Sequence, residues 1–280
     1  MEAQRFPTFG QELHLRDAIK AATMLADVGL HRGVSEIVAA SLDHPSAGTR
    51  SRIAAKLVQR LRSGAASPED RQHFLRLIVG MADMSVRRDL IYYATARADP
   101  LVGAVAAEVL YPILIETRPP QGARPDELAP HQAGLLLTVE PIVPMGFLLK
   151  YAAREWRYGS RRSLLLALRI LRQVGITRTV RIRGASGALE AIALAPHDLS
   201  FAAFVWCFMD EFARSVPAAT PDRIERSRFA RIFVVPPSLI DARLDQADRQ
   251  GYLRTRVMAG ARRVVPALTI GEAVERIMQI

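Results

Sequence analysis

Residues 160–183 read SRRSLLLALRILRQVGITRTVRIR, and this stretch decides the fold. Ser160 has the chemistry of a helix N-cap and Gly175 that of a helix stop, with leucine and isoleucine recurring between them at helical spacing. At 100° per residue, Leu164, Leu166, Ala167, Ile170, Leu171 and Val174 share one broad face that must be core. Arg161, Arg162, Arg169 and Arg172 fall within an arc of roughly 100° on the opposite side, with Leu165 among them. Beyond Gly175 come TRTVRIR, the turn GASG and ALEAIALAP. The alternation over Thr177–Arg183 is loose, but the turn chemistry and the β-branched residues favour a hairpin.

Upstream, the spacing predicts a helix over roughly Met145–Arg157 and a tight turn at Tyr158-Gly159-Ser160. Helix, turn, helix, hairpin is the order of elements in a winged helix. A similar order recurs near the C-terminus, where PPSLIDARLDQADRQG reads as a helix followed by YLRTRV, the turn MAGA and RRVVPAL. Two winged-helix-like units joined by the helix DLSFAAFVWCFMDEFARS are one reading of residues 131–280; a single unit is the other. Residues 11–116 read as helices with short connections, among them QELHLRDAIKAATMLADVG, HPSAGTRSRIAAKLVQRLRSG and a helix opening at Ser67 with Pro68 in its first turn. From Thr117 to Pro144 six prolines break regular structure and mark a linker. The expected fold class is therefore mainly α. A helical domain spans residues 1–130, its linker starting near 117, and a basic winged-helix-like domain with one or two small β-hairpins spans 131–280.

The net charge of +10 is unevenly spread. Residues 1–116 hold 14 Lys+Arg against 13 Asp+Glu, residues 117–145 hold 2 against 3, and residues 146–280 hold 22 against 12. Lys150–Arg183 contains ten basic residues and one acid, Glu155. A one-sided field attracts polyanions and speeds their encounter. On this reading the helix after Ser160 is a recognition helix whose arginines contact phosphate or guanine edges, and Arg178, Arg181 and Arg183 extend the surface along a neighbouring backbone. The plainer reading is an amphipathic helix with a solvated face. By contrast, Asp241, Asp245 and Asp248 on the helix from Ser238 to Gln250 repel phosphate, although its hairpin arginines remain able to touch DNA. In the N-terminal half, Arg52, Lys56 and Arg60 form an i, i+4, i+8 stripe opposite Ile53, Leu57 and Leu61, a second candidate phosphate contact.

Enzymatic motifs fail on residue identity. The three lysines Lys20, Lys56 and Lys150 precede Ala21, Leu57 and Tyr151, so no P-loop is present, and no Glu-x-Lys of a nuclease core occurs. The histidines, His14, His31, His44, His73, His131 and His197, have neither zinc-ligand spacing nor an HExxH pair. Asp210 and Glu211 are neighbours on a helix and are expected to point different ways. Cys207, the single cysteine, excludes an internal disulfide and sits in the apolar run FVWCFM. The N-terminus MEAQRFPTFGQELHLRD lacks a signal-peptide core, and Leu135–Leu149 carries Glu140, Pro141 and Pro144, too short and interrupted for a membrane span. A cytoplasmic protein with no catalytic residues, cofactor, metal, small-molecule substrate or membrane partner is expected.

With these segments in hand, the chain resembles the BrxA family of bacterial BREX phage-defence systems. The resemblance runs through LRDAIKAATMLADVG, SLDHPSAGTRSRIAAKLVQRL, RRDLIYYATARADPLVGAVAAEVL, EWRYGSRRSLLLALRILRQVGI and FVVPPSLIDARLDQADRQGYL, most of the chain, as a match of pattern without an active-site signature. It implies a largely helical, non-catalytic accessory protein that binds double-stranded DNA beside the other proteins of its system. The family's DNA-binding helical element would fall on Ser160–Val174 with Arg161, Arg162 and Arg169. Its basic N-terminal helix would fall on Thr49–Leu61 with Arg50, Arg52 and Lys56. Two other readings stay open: a protein-interaction module of the same system, and a transcriptional autoregulator.

Overall fold

The computed structural model describes residues 13–31, 33–116, 141–184, 187–195, 197–214, 218–258 and 261–279. Most of the expected linker, and the boundary near residue 130, lie outside them; the described end of that proline-rich run, Ile142–Pro144, is a strand where irregular chain was expected. Among these residues the chain is mainly helical, with two small antiparallel sheets.

The N-terminal half is an array of helices: α1 (Leu15–Val28), α2 (Val34–Ser41), α3 (Ala47–Arg62), α4 (Arg71–Gly80) and α5 (Met84–Ala98). Buried residues on α5 run without a break from Asp89 to Ala96. A helix buried on every side belongs in an interior, and α5 is packed round by α1, α3 and α4. The helix expected from Ser67 starts later, at Arg71, because residues 67–70 form a turn in which the Asp70 carboxylate is taken by Arg214 at 2.5 Å.

Pro100 opens the next helix, which leaves α5 at 103°. It runs as α6 (Pro100–Ala104), a π-helical stretch Val105–Leu110, and α7 (Tyr111–Glu116). Proline at 112 is compatible with the π stretch. With no N–H on Pro112, the Tyr111 N–H reaches back five residues to the Ala106 carbonyl, and the carbonyl of Ala107 is taken by Arg231 Nη2 at 3.1 Å.

The second half opens with β1 (Ile142–Pro144), an edge strand within the proline-rich run, where prolines cost no ladder bond. Then come α8 (Met145–Glu155), α9 (Arg161–Val174), β2 (Thr177–Gly184) and β3 (Gly187–Leu194). β3 is central, pairing antiparallel with both β1 and β2. The chain continues through α10 (Phe201–Phe212), α11 (Pro221–Glu225), α12 (Arg228–Ile232), α13 (Pro237–Arg249), the hairpin β4 (Leu253–Met258) and β5 (Ala261–Pro266), and α14 (Ile270–Ile277). Just before α11, Ala219 exchanges hydrogen bonds of 3.1 and 2.8 Å with Val264 of β5. The same order therefore occurs twice: a pairing segment, helices, then a hairpin whose second strand takes that first segment.

Buried residues from both halves join in one core. α10 is buried continuously from Ala202 to Asp210 and packs against α5 and α14. Trp206 donates its indole N–H to the Gly64 carbonyl at 3.0 Å and stands 5.3 Å from the Phe74 ring. Gly64 has no substitute there, since a Cβ would lie 1.9 Å from that ring. Among the described residues no single helix is long and apolar enough to cross a membrane.

One charged pair is sealed in this packing. Arg60, 2% exposed, donates from Nε to Asp99 Oδ2 at 2.7 Å, and Lys56 Nζ lies 2.5 Å from Asp99 Oδ1. Burial pushes the Arg60 guanidinium down from its ordinary value, and the Asp99 charge opposes that. Removing one partner strands the other in a medium that cannot solvate it. Asp99→Ala is expected to lower the unfolding free energy by about 3–5 kcal/mol, read by urea denaturation; a loss within experimental error would show that water reaches Arg60.

Candidate nucleic-acid interface

The helix pair that presents the basic surface is set by two buried rings. Trp156 and Tyr158 are each 2% exposed, and Arg157 between them is exposed in a left-handed conformation with φ 50°. Trp156 Nε1 donates to Glu108 Oε2 at 2.9 Å, and the Tyr158 N–H closes on the Ala152 carbonyl at 2.9 Å. The turn thus begins at Arg157, and α8 stops at Glu155, two residues short of the expected end. Ser160 caps α9 by accepting the Ser163 N–H at 3.3 Å. Gly175, at φ 93°, ends the helix so that the Ile176 N–H reaches the Leu171 carbonyl at 3.0 Å. The buried face of α9 holds Leu164, Ala167, Leu168, Ile170, Leu171 and Val174, and it packs on α5, α6 and the π stretch. Leu168 completes that face, while Leu166 is only half-buried.

Arg161, Arg162, Arg169 and Arg172 are all exposed on the other side of α9, together with Leu165 at 38%. On β2, Arg178 and Arg181 are exposed as well; the side chain of Arg183 lies outside the described residues. Arg172 Nη1 donates to Thr179 Oγ1 at 3.4 Å, linking helix to strand. Arg169, Arg172 and Arg178 share one open cleft of about 210 Å³, floored by Met145, Leu168 and Ile192. Glu190 lines the same cleft and sits directly opposite Arg181 in the ladder, an acid that the local sequence stretch did not contain. Among the described residues Arg161, Arg162 and Arg181 make no ion pair.

The N-terminal stripe does not form the surface expected of it. Arg52 is exposed, but Arg60 is buried on Asp99 and Lys56 is bound to the same carboxylate. Arg60 is therefore not a phosphate contact: it turns inward onto Asp99, just before α6. Arg50 spends Nη1 on the His44 carbonyl at 2.6 Å. α3 packs on α1, α2, α4 and α5.

The second hairpin carries its own cations. Arg262 turns toward α13 and binds Asp245 at 2.5 Å, which neutralises part of the acidic face expected there. The opposite face of β4 and β5 holds Arg254, Arg256 and Arg263, with Arg256 and Arg263 directly cross-strand. Like charges in that relation repel, and none of the three makes an ion pair among the described residues.

A buried polar cluster is the strongest rival site. Asp210 and Glu211 do converge, contrary to expectation: Tyr93 Oη lies 2.8 Å from Asp210 Oδ2 and 3.4 Å from Glu211 Oε1. Asp210 also accepts the Ala66 N–H at 2.5 Å and pairs with Arg97. Glu211 caps α12 by accepting the N–H groups of Phe229 and Arg228 at 2.9 and 3.1 Å. Each carboxylate is thus engaged in holding elements together. Cys207 beside them is fully buried, and burial pushes its thiol up, away from a reactive thiolate. No protein-family model, curated protein or solved structure matches the chain.

Burial pushes the Glu211 carboxyl up to about 7, against the pull of the two N–H groups. Because that lies above the ordinary value of 4.5, the unfolded chain releases this proton first, and the Glu211 contribution to stability falls as pH rises from about 4.5 to 7. Glu211→Gln keeps an acceptor for one of the two N–H groups, sets its own amide NH2 against the other at a cost that does not vary with pH, and removes the titration. Urea unfolding at about pH 5 and about pH 7.5 should show the variant gaining on wild type at the higher pH; a difference that stays constant would contradict the assignment.

Proposed function

We propose that this protein is a non-catalytic, cytoplasmic double-stranded DNA-binding accessory protein of a bacterial BREX-like phage-defence system, gripping its duplex mainly through phosphates. The order β1, α8, α9, β2, β3, with β1 paired to β3, supports a winged-helix reading, and α9 stands where a recognition helix stands in that arrangement. The observation that carries the proposal is the outer side of α9. It exposes Arg161, Arg162, Arg169 and Arg172 and is continued by Arg178 and Arg181, with Glu190 the one acid in the cleft among the described residues. Arg254, Arg256 and Arg263 on the second hairpin supply a further cationic face. Arginine forks suit phosphate bidentately.

A protein-docking module is the second reading, favoured by Leu165 exposed amid the arginines and by Val257, 75% exposed on the second hairpin. Fluorescence anisotropy with a duplex of about 30 base pairs, titrated across salt and repeated on a scrambled duplex, separates the two. Phosphate-dominated binding predicts a slope of log affinity against log salt of roughly −3 to −6 on both duplexes. The double variant Arg162→Ala with Arg169→Ala should make that slope shallower by about 2 and weaken binding with the fold intact. No binding at low salt would overturn the proposal in favour of docking, and much tighter binding to one sequence would point to an autoregulator.

A further inference from the structure

Three side chains that share no metal-ligand spacing in the sequence meet where α1 begins. Asp17 lies in the first turn of α1, His14 immediately precedes that helix, and His44 comes from the loop between α2 and α3. His44 Nε2 is 3.0 Å from Asp17 Oδ2 and His14 Nδ1 is 3.6 Å from the same oxygen. One donor atom from each residue falls within 4.8 Å of the other two. We infer that His14, Asp17 and His44 form a binding site for a divalent transition metal of the zinc class, placed where α1 meets the loop that leads into α3.

The geometry suits that ion. Around a tetrahedral zinc with bonds near 2.0–2.1 Å, adjacent donors stand about 3.3 Å apart, and the observed 3.0 and 3.6 Å straddle that spacing. Two imidazoles and one carboxylate are borderline ligands that favour zinc over the all-oxygen shells of magnesium or calcium. Three protein ligands leave a fourth position for water. The half-buried setting, with the three side chains 20–26% exposed, leaves room for it.

The frame is held by contacts that do not use the donors. Lys20 on α1 binds Asp43 at 3.1 Å, and Arg50 on α3 holds the backbone carbonyl of His44 at 2.6 Å, so the loop is pinned on both sides of the imidazole. His14 is in a left-handed conformation, φ 49°, and its ring meets that of His44 edge to face at 6.2 Å. Donors fixed by their surroundings lose little freedom on binding an ion. The site is independent of the arginine surface of α9.

The full-length protein, stripped with a chelator and dialysed, would be titrated with zinc by calorimetry and with cobalt(II) by visible absorption. The expected result is one equivalent bound with a Kd of about 10 μM or tighter, intense tetrahedral cobalt bands, and a thermal midpoint raised by zinc. Asp17→Asn, which keeps the size and the hydrogen bond to His44, should weaken binding at least tenfold, as should His44→Ala. Replacing exposed His31 with alanine should leave it unchanged. Absence of saturable binding would overturn the site, as would undiminished binding by Asp17→Asn with its circular dichroism intact. In either case the cluster would be an ion pair that joins α1 to the loop.

Discussion

A carboxylate buried at the end of a long apolar run governs this architecture. Asp210 sits near the end of α10, which is buried from Ala202 through Asp210, and a carboxylate charge in such a place costs several kcal/mol unless it is fully engaged. Its partners come from three separate places: the Ala66 N–H after α3, Tyr93 Oη in the middle of α5, and Arg97 one turn later. Meeting those requirements sets the rotation of α10 and its depth against α5. Trp206, one turn earlier on α10, then finds the Gly64 carbonyl and the Phe74 ring. The N-terminal helices and the hairpin-bearing second half are locked together by this node.

The basic residues divide into two populations with opposite work. Arg60, Arg97 and Arg231 are inside or half-inside, and they neutralise Asp99, neutralise Asp210 and satisfy the spare carbonyl of the π stretch. Arg161, Arg162, Arg169, Arg172, Arg178, Arg181, Arg254 and Arg256 are exposed and Arg263 is half-buried, and among the described residues Glu190 is the acid that reaches the cleft beside α9. Net charge counts both populations alike. The repeated order of pairing segment, helices and hairpin also diverges by charge: the last helix before the hairpin is cationic outward in the first unit, while in the second Asp241 and Asp245 face Arg262 of their own hairpin.

Much of the local structure is legible in the chain. Ser160 and Gly175 bracket α9 as N-cap chemistry and positive φ require, and β2 and β3 pair antiparallel as expected of a hairpin, out to Gly184 opposite Gly187. The proline at 112, set within an apolar helical run, needs a backbone adjustment, but not the π stretch in particular. Errors fall where a local pattern met a distant partner. The Arg52, Lys56, Arg60 stripe looks solvent-facing by helical spacing, yet Asp99, 39 residues away, draws two of its members inward. Asp210 and Glu211 are adjacent and were expected to diverge, but Tyr93 lies between both side chains. The histidines have no diagnostic spacing, and the fold closes a 27-residue gap to bring His44 onto Asp17.

What the sequence determined by itself is therefore short-range: which segments are helical, where they are capped, which hairpins form, and that the second half carries the surplus of arginine. Those properties depend on residues three or four positions apart, through backbone hydrogen bonds and side-chain spacing. The tertiary structure alone decided which arginines remain on the surface, that Glu190 enters the cationic cleft, and that His14, Asp17 and His44 converge. An ionisable side chain is placed by the nearest group able to offset its desolvation, and in this protein that group is often supplied from a different helix.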